Sequence, residues 1–490
     1  MGYVAFVPRT YADGPVPLVA GVDCSTQATK VLIVDSDSGS VVATGRAGHD
    51  VTGTGGARET DPNQWWDALS EALLKTGRAG DVTSMAVGGQ QHGLVVLGDD
   101  GTPLRPAQLW NDTRAAGNAR ALTDALGGAA IWAQDIGLVP VASYTVGKWA
   151  WLRQHEAAVA DATAAVLLPH DFINTRLTGL RTTDRGDASG TGWWSTATES
   201  YSEEVLSLSA VRLDPELLPR VLEPGERAGE VTTEASRHTG LNPGTAVAAG
   251  TGDNMAAALG LGLESGTPVV SLGTSGTVYA LSTVRAADPS GTVSGFADAT
   301  GNFLPLAATL NCTLAVDRVA SWLGLDRENV ADRTEAFAFP YLDGERTPNL
   351  PDSAGVFGGL RHATDPSEIL LAAYQGAALG LIEAMELVSE HSSGLDPDRP
   401  LILIGGGAKG TTWRRVISQL SGRELQIPDA EELVALGAAA QATSLLTSEA
   451  ADEVARRWGT RAGTRVQAME RDAATLERLR SARRAVFGGL

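Results

Sequence analysis

An aspartate that follows a strand and opens a helix can take a proton from a bound hydroxyl, and Gly252-Asp253-Asn254 offers one. It comes after the apolar run Ala246–Ala249 and before the small-residue stretch Met255–Leu259. In phosphoryl transfer such a carboxylate serves as general base and orients the nucleophile. An aspartate at that place is also an ordinary helix N-cap, and the local pattern fits both. Asp23 closes another apolar run, Leu18–Val22, and is followed by Ser25-Thr26-Gln27. A carboxylate beside a hydroxyl-rich turn suits a hydrated Mg²⁺ that would also bind substrate phosphates. Equally, it suits a turn-capping aspartate. Gly273-Thr274-Ser275-Gly276 is a second such turn, with small residues that let successive amides approach phosphate oxygens. Gln90-Gln91-His92-Gly93 supplies amide and imidazole groups that donate and accept, as a polyhydroxylated ligand requires. No HExxH or CxxC spacing supports zinc.

The run Gly405-Gly406-Gly407-Ala408-Lys409-Gly410 admits two readings. It matches G-x-G-x-x-G at 405, 407 and 410, after the strand-like Leu401–Ile404, with Asp429 about 20 residues on. That pattern predicts a dinucleotide site and an NAD-dependent oxidoreductase. The same glycine turn would let an adenosine ring or ribose lie against backbone. It is not a P-loop, because Lys409 precedes Gly410.

These groups need elements to hold them at strand ends. Short apolar strands alternate with helical stretches along the chain, which predicts an α/β architecture with ligands at the carboxyl ends of strands. Leu18–Val22 and Lys30–Val34 read as a hairpin, with Val41–Thr44 as a third strand. Asp61-Pro62-Asn63-Gln64 predicts a helix start, with Asp61 as N-cap, Pro62 in the first turn and Gln64 closing a capping box. Val22–Gln27 and the strand behind it overlay Val270–Ser275 and Thr277–Ala280, half a chain further on. The overlay predicts two related halves, with a boundary near Gly262–Pro268.

Composition narrows the class. The 490 residues carry 38 Lys and Arg against 58 Asp and Glu, a formal charge of −20, which argues against a nucleic-acid binder. Hydrophobic residues make up 43 %, enough for a buried core. Two cysteines, Cys24 and Cys312, predict no disulfide framework and a reducing cytoplasm. The apolar runs are strand-length, so no membrane span is expected, and Met1–Val16 reads as a polar lead-in without a secretory pattern.

Seven stretches taken in order resemble the FGGY carbohydrate kinases from about Leu18 to Leu446. They are Gln64-Trp65-Trp66, Gly89–Gly93, Leu109–Arg114, Gly250–Asn254, Ser271–Gly276, Pro340–Pro348 and Leu403–Ala408. The resemblance implies a two-lobed actin-like ATPase (ribonuclease H-like) fold, with ATP and Mg²⁺ in the cleft between duplicated α/β domains. It divides the chain into an N-terminal domain over 17–262, with the sugar site and first phosphate hairpin, and a C-terminal domain over 266–446, with the second hairpin and adenosine site. A helical tail over 447–490 follows. The implied activity is ATP-dependent phosphorylation of a sugar hydroxyl, the 5-hydroxyl of D-xylulose, with ribulose, glycerol or another polyol as alternatives. By resemblance Asp253 is the catalytic base and Asp23 the magnesium-neighbouring carboxylate needed for activity. Gln91, His92, Asp253 and Asn254 contact the sugar. Thr26, Gly273, Thr274 and Ser275 face phosphate, and Gly406 and Gly407 face adenosine. The partners implied are a small sugar and ATP, with neither nucleic acid nor membrane, and association as a homodimer is left open. Two departures stand out. The first hairpin usually reads Asp-x-Gly-Thr-Ser, where this chain has Asp23-Cys24-Ser25-Thr26-Gln27, and many relatives carry Met-His where this chain has Gln91-His92. The ordered set disfavours the oxidoreductase; a non-catalytic actin-like protein is disfavoured by the retention of both Asp23 and Asp253.

Overall fold

The computed structural model describes residues 16–488, so the lead-in expected over Met1–Val16 lies outside the described residues apart from Val16. The chain divides into two compact units. One gathers the described residues up to Leu263, Ala297–Asn302 and Glu432–Arg461. The other gathers Glu264–Phe296, Phe303–Glu431 and the described residues from Ala462 onward.

The first unit is built on strands β1 (Leu18–Cys24), β2 (Ala28–Asp35), β3 (Val41–Gly48), β4 (Val82–Gly89), β5 (Arg227–Glu230), β6 (Ala246–Ala248) and β7 (Thr251–Gly252). The order is β5-β6-β4-β1-β2-β3, with β7 continuing alongside β4. β1 and β2 form the expected antiparallel hairpin, and β1 runs parallel to β4 on its other side. Valine, leucine and isoleucine fill β1 and β2 because both faces of these strands are covered. Val22, Val31, Trp65, Leu69 and Phe172 belong to the core on one face. Helix α1 (Pro62–Thr76) supplies Trp65, fully buried and edge-on to Phe172 at 6.5 Å. Asp61 caps α1 as expected, accepting from Asn63 N. Gln64 does not close the box: its Oε1 accepts from Asp50 N at 2.9 Å and ties the β3 exit to the helix.

The other face is covered by elements that arrive late in the chain. In chain order the helices used below are α2 (Thr145–His155), α3 (Pro169–Thr178), the single turn α4 (Arg185–Ala188), α5 (Asp253–Gly260), α6 (Thr313–Leu323), α7 (Pro366–Glu390), α8 (Thr411–Ser421), α9 (Leu433–Thr447), α10 (Ala451–Trp458) and α11 (Ala473–Phe487). α9 packs on β1, β4 and α5. The approach is backbone to backbone: a Cβ on Gly437 would lie 1.9 Å from the Ala256 carbonyl oxygen, and one on Gly21 would lie 1.8 Å from that of Ala435. α9 reads Leu-Val-Ala-Leu-Gly-Ala-Ala-Ala because only small side chains fit between sheet and helix.

The second unit has strands β8 (Pro268–Leu272), β9 (Gly276–Ala280), β10 (Val293–Ala297), β11 (Phe303–Thr309), β12 (Leu401–Ile404), β13 (Leu425–Pro428) and β14 (Gly463–Val466), in the order β10-β11-β9-β8-β12-β13-β14. β8 and β9 form an antiparallel hairpin, and β8 runs parallel to β12. A hairpin flanked by one parallel strand is thus the centre of both sheets, as the internal overlay predicts. The stretch over 447–490 is not helical throughout: α10 joins the first unit, while β14 and α11 join the second. α7 has 25 residues and is long and apolar enough to cross a bilayer, contrary to the expectation that no such stretch exists. It is a core helix here, with 83 % of its most apolar window buried, and a helix apolar all round belongs inside.

Candidate active site

In the first unit the strand pairing brings the candidate residues together. β7 continues β6 beside β4, with Gly252 opposite Gly89, so Asp253 leaves the sheet next to the Gln90–His92 turn. Gly252 is required there: a Cβ would lie 2.6 Å from Gln91 Cγ. Asp253 is the first residue of α5, capped by Gly252, and its carboxylate faces the helix amides. Asn254 N and Nδ2 donate to Asp253 Oδ1 at 2.8 and 2.9 Å, and the same Nδ2 donates to Gln91 Oε1 at 2.9 Å. Gln91, Asn254 and Asp253 therefore form one hydrogen-bonded row. Burial pushes the Asp253 carboxyl up to about 7, with Asp23 and Asp187 adding repulsion and the Asn254 donors opposing it.

Asp23 ends β1, opposite Gly88 of β4 and Lys30 of β2. It is 5 % exposed, and its Oδ1 is buried without a hydrogen-bond partner. Lys30 Nζ lies 3.5 Å from Asp23 Oδ2 and 2.7 Å from Glu432 Oε2, just before α9. Burial pushes Asp23 up to about 6, against the pull of Lys30. Among the described residues no group of three or more His, Cys, Asp or Glu is arranged around a metal. A hydrated Mg²⁺ needs only one or two carboxylates, and an unpartnered buried carboxylate oxygen fits a donor such as a metal-bound water. The β1–β2 turn needs no glycine because none of Ser25, Thr26 and Gln27 takes a positive φ. Ser25 N donates to Ala28 O at 3.0 Å, and Thr26 Oγ1 accepts from Trp110 Nε1 at 3.0 Å.

Behind this row stands a buried charge cluster that the sequence analysis did not single out. His170, at the start of α3, packs against both glycine exits: Cβ atoms on Gly89 and Gly250 would lie 2.8 and 3.0 Å from it. Its Nδ1 is 2.7 Å from Asp187 Oδ2, and its Nε2 is 3.3 Å from Asp171 Oδ1. Asp184 caps α4 and accepts from Thr251 Oγ1 at 2.7 Å, immediately before Gly252 and Asp253. Burial disfavours the charged ring, but Asp171, Asp187 and Asp184 together outweigh it and push His170 up to about 9. Asp184-Arg185-Gly186-Asp187 and Pro169-His170-Asp171 stand in the sequence as short acidic or histidine-bearing runs. Nothing in their spacing showed that they converge.

In the second unit the β8–β9 turn and the β12 exit lie at one end of the sheet. Thr313, at the start of α6, donates to Gly273 O through N at 3.1 Å and through Oγ1 at 2.7 Å. Thr274 is exposed, with Gly273 and Ser275 half-buried beside it. A Cβ on Gly407 would meet Thr313 Cγ2 at 2.7 Å, whereas one on Gly406 would meet nothing within 4 Å. Gly407 thus seats the turn against α6, and Gly406 presents open backbone. Glu345, 2 % exposed, accepts from Leu310 N, Asn311 N and Asn311 Nδ2, so the Pro340–Pro348 motif clamps the segment that leads into α6. The dinucleotide reading of this region fails on geometry: the glycines lead into a 3₁₀ turn over Gly406–Lys409, and α8 is capped by Gly410 instead. The sheet around β12 also mixes antiparallel β9 and β14 with its parallel strands.

The profiles of the N-terminal and C-terminal domains of the FGGY family of carbohydrate kinases match residues 18–260 and 269–446. The chain belongs to that family. It is 60 % identical to the xylulose kinase of Streptomyces coelicolor over 96 % of both chains, and 59 % identical to that of Streptomyces rubiginosus over the same shares. Among solved structures it is similar to the xylulose kinase from Bifidobacterium adolescentis, with a TM-score of 0.83 at 34 % identity over 95 % of this chain and 99 % of that one. The actin-like ATPase fold with two α/β lobes is therefore the fold of this FGGY kinase. ATP is accordingly its phosphoryl donor, and a sugar-type alcohol its acceptor class.

Proposed function

We propose that this FGGY kinase transfers the γ-phosphoryl group of ATP to the 5-hydroxyl of D-xylulose, giving D-xylulose 5-phosphate and ADP. The printed names of relatives at 59 and 60 % identity support the sugar. The row of Gln91, Asn254 and Asp253 supports the chemistry, since it sets a carboxylate beside amides suited to sugar hydroxyls. Asp253 accepts the proton as the hydroxyl attacks, while Gln91, His92 and Asn254 hold the remaining hydroxyls. Gly273, Thr274, Ser275 and Thr26 offer donors to phosphate oxygens, and Gly406 leaves backbone open to adenosine while Gly407 seats the turn behind it. Asp23 is the residue that would hold magnesium, through its unpartnered Oδ1. Bound there, magnesium would neutralise phosphate charge. The cytoplasm is the assigned compartment, where ATP is supplied and the free buried thiols Cys24 and Cys312 stay reduced.

The test is ADP release over a panel of ketoses and polyols, with D-xylulose expected to give the highest kcat/KM. Faster turnover of ribulose or glycerol would reassign the acceptor, and no sugar-dependent release would overturn the reading. The acid limb of the pH profile carries a second expectation. A base held near 7 is protonated, and so idle, below that pH, so kcat/KM should fall as pH drops through about 7. Asp187→Asn removes one of the charges that raise Asp253, so the limb should move to lower pH. A limb unmoved in this variant would detach Asp187 from Asp253.

A further inference from the structure

Lys148 is fully buried, in the first turn of α2, and among the described residues no carboxylate hydrogen-bonds to it. Its Nζ donates to the carbonyl oxygen of His92 at 2.9 Å and to that of Ser143. Thr145 Oγ1 donates to the same His92 carbonyl at 3.2 Å. Two side chains from the start of α2 thus converge on one backbone oxygen, in the turn that follows β4. That turn is strained: His92 has φ 66°, a left-handed conformation that a non-glycine residue keeps only when its surroundings impose it. The ring is held as well. Tyr144 meets it edge-on at 5.0 Å, and a Cβ on Gly190 would lie 2.4 Å from its Nδ1.

An ammonium in a dry site is costly, and burial lowers this one to about 7. A hydrophobic residue would fill the volume at less cost, so the burial calls for a use. We propose that Lys148 is a positioning residue for the acceptor sugar: by gripping the His92 carbonyl it fixes the Gln91–His92 turn in its strained conformation. This rests on the proposed reading that Gln91 and His92 face the sugar. Lys148 itself touches no substrate in this account, and nucleotide binding does not depend on it.

The experiment uses the full chain. The unsubstituted enzyme is first taken through the ketose and polyol panel, so failure of the substrate reading shows there, and the best acceptor is carried forward. Lys148→Met and Thr145→Val are then assayed for KM of acceptor, KM of ATP and kcat. For Lys148→Met, KM of the acceptor should rise about tenfold or more while KM of ATP stays within about twofold, the pattern of lost binding at one substrate. Thr145→Val should shift acceptor KM in the same direction by about threefold. Equal rises in both KM values, as general loosening would give, would overturn the proposal, and so would an unchanged acceptor KM. If Lys148→Met does not fold, Thr145→Val decides: an acceptor-selective rise supports the grip, and its absence refutes it.

Discussion

Asp253→Asn should retain fold and ATP affinity and lose turnover with the acceptor by about 10²–10⁴-fold, the usual contribution of a positioned general base. The substitution is isosteric. The new amide oxygen can still accept from Asn254 N and Nδ2, as Asp253 Oδ1 does at 2.8 and 2.9 Å. The Gln91–Asn254 bond is untouched, so KM for the sugar should change less than kcat. Stability gives an independent readout. The Asp253 carboxyl is raised from its ordinary range to about 7, first by burial and then by Asp23 and Asp187. Its contribution to stability is therefore fully present below the unfolded value, near 4, and is lost as pH rises through about 7. An amide does not ionise, so the melting temperature of the variant should overtake that of the parent at alkaline pH. Turnover within tenfold of the parent would remove Asp253 from the base role.

Gly437→Val should lower the melting temperature by about 3 °C or more, or prevent folding. A single Cβ at 437 would lie 1.9 Å from the Ala256 carbonyl oxygen and 2.8 Å from Gly260 N. These are backbone atoms of α5, and they cannot step aside as a flexible side chain would. Relief requires α9 and α5 to separate, and overpacking of this kind costs about 1–3 kcal/mol or more. With the usual unfolding entropy per residue, a chain of 490 residues loses about 1 °C of Tm for each kcal/mol. Because α5 opens with Asp253, any surviving protein should also lose activity. Thermal unfolding and kcat measured together check both, and a melting temperature within 1 °C of the parent would show that the two helices are not so closely apposed.

Much of the site was legible because glycines mark strand exits. Gly88-Gly89, Gly250 and Gly405–Gly407 each end an apolar run, and each lies where a strand meets a candidate residue. The hairpin overlay of Val22–Gln27 on Val270–Ser275 also described a real correspondence, since both sit at the centre of their sheets. The contacts that were missed join residues distant in sequence. His170 meets Asp187, Lys148 meets His92, and Lys30 meets Glu432, with partners 17, 56 and 402 positions apart. Local spacing carries no trace of such pairs. The dinucleotide pattern at 405–410 misled for the opposite reason: the letters matched, but the helix begins at Thr411, past a 3₁₀ turn over Gly406–Lys409. Gln64 likewise had the right spacing for a capping box and a better acceptor role at Asp50 N.

α9 lies 170 residues beyond the last long stretch of the unit it completes, and it covers β1 and β4, among the first strands to be made. During synthesis those strands leave the ribosome long before their cover does. A nascent chain of this protein therefore carries an apolar sheet face that must be shielded in the meantime, and a fragment cut at Leu263 would keep that face bare for good.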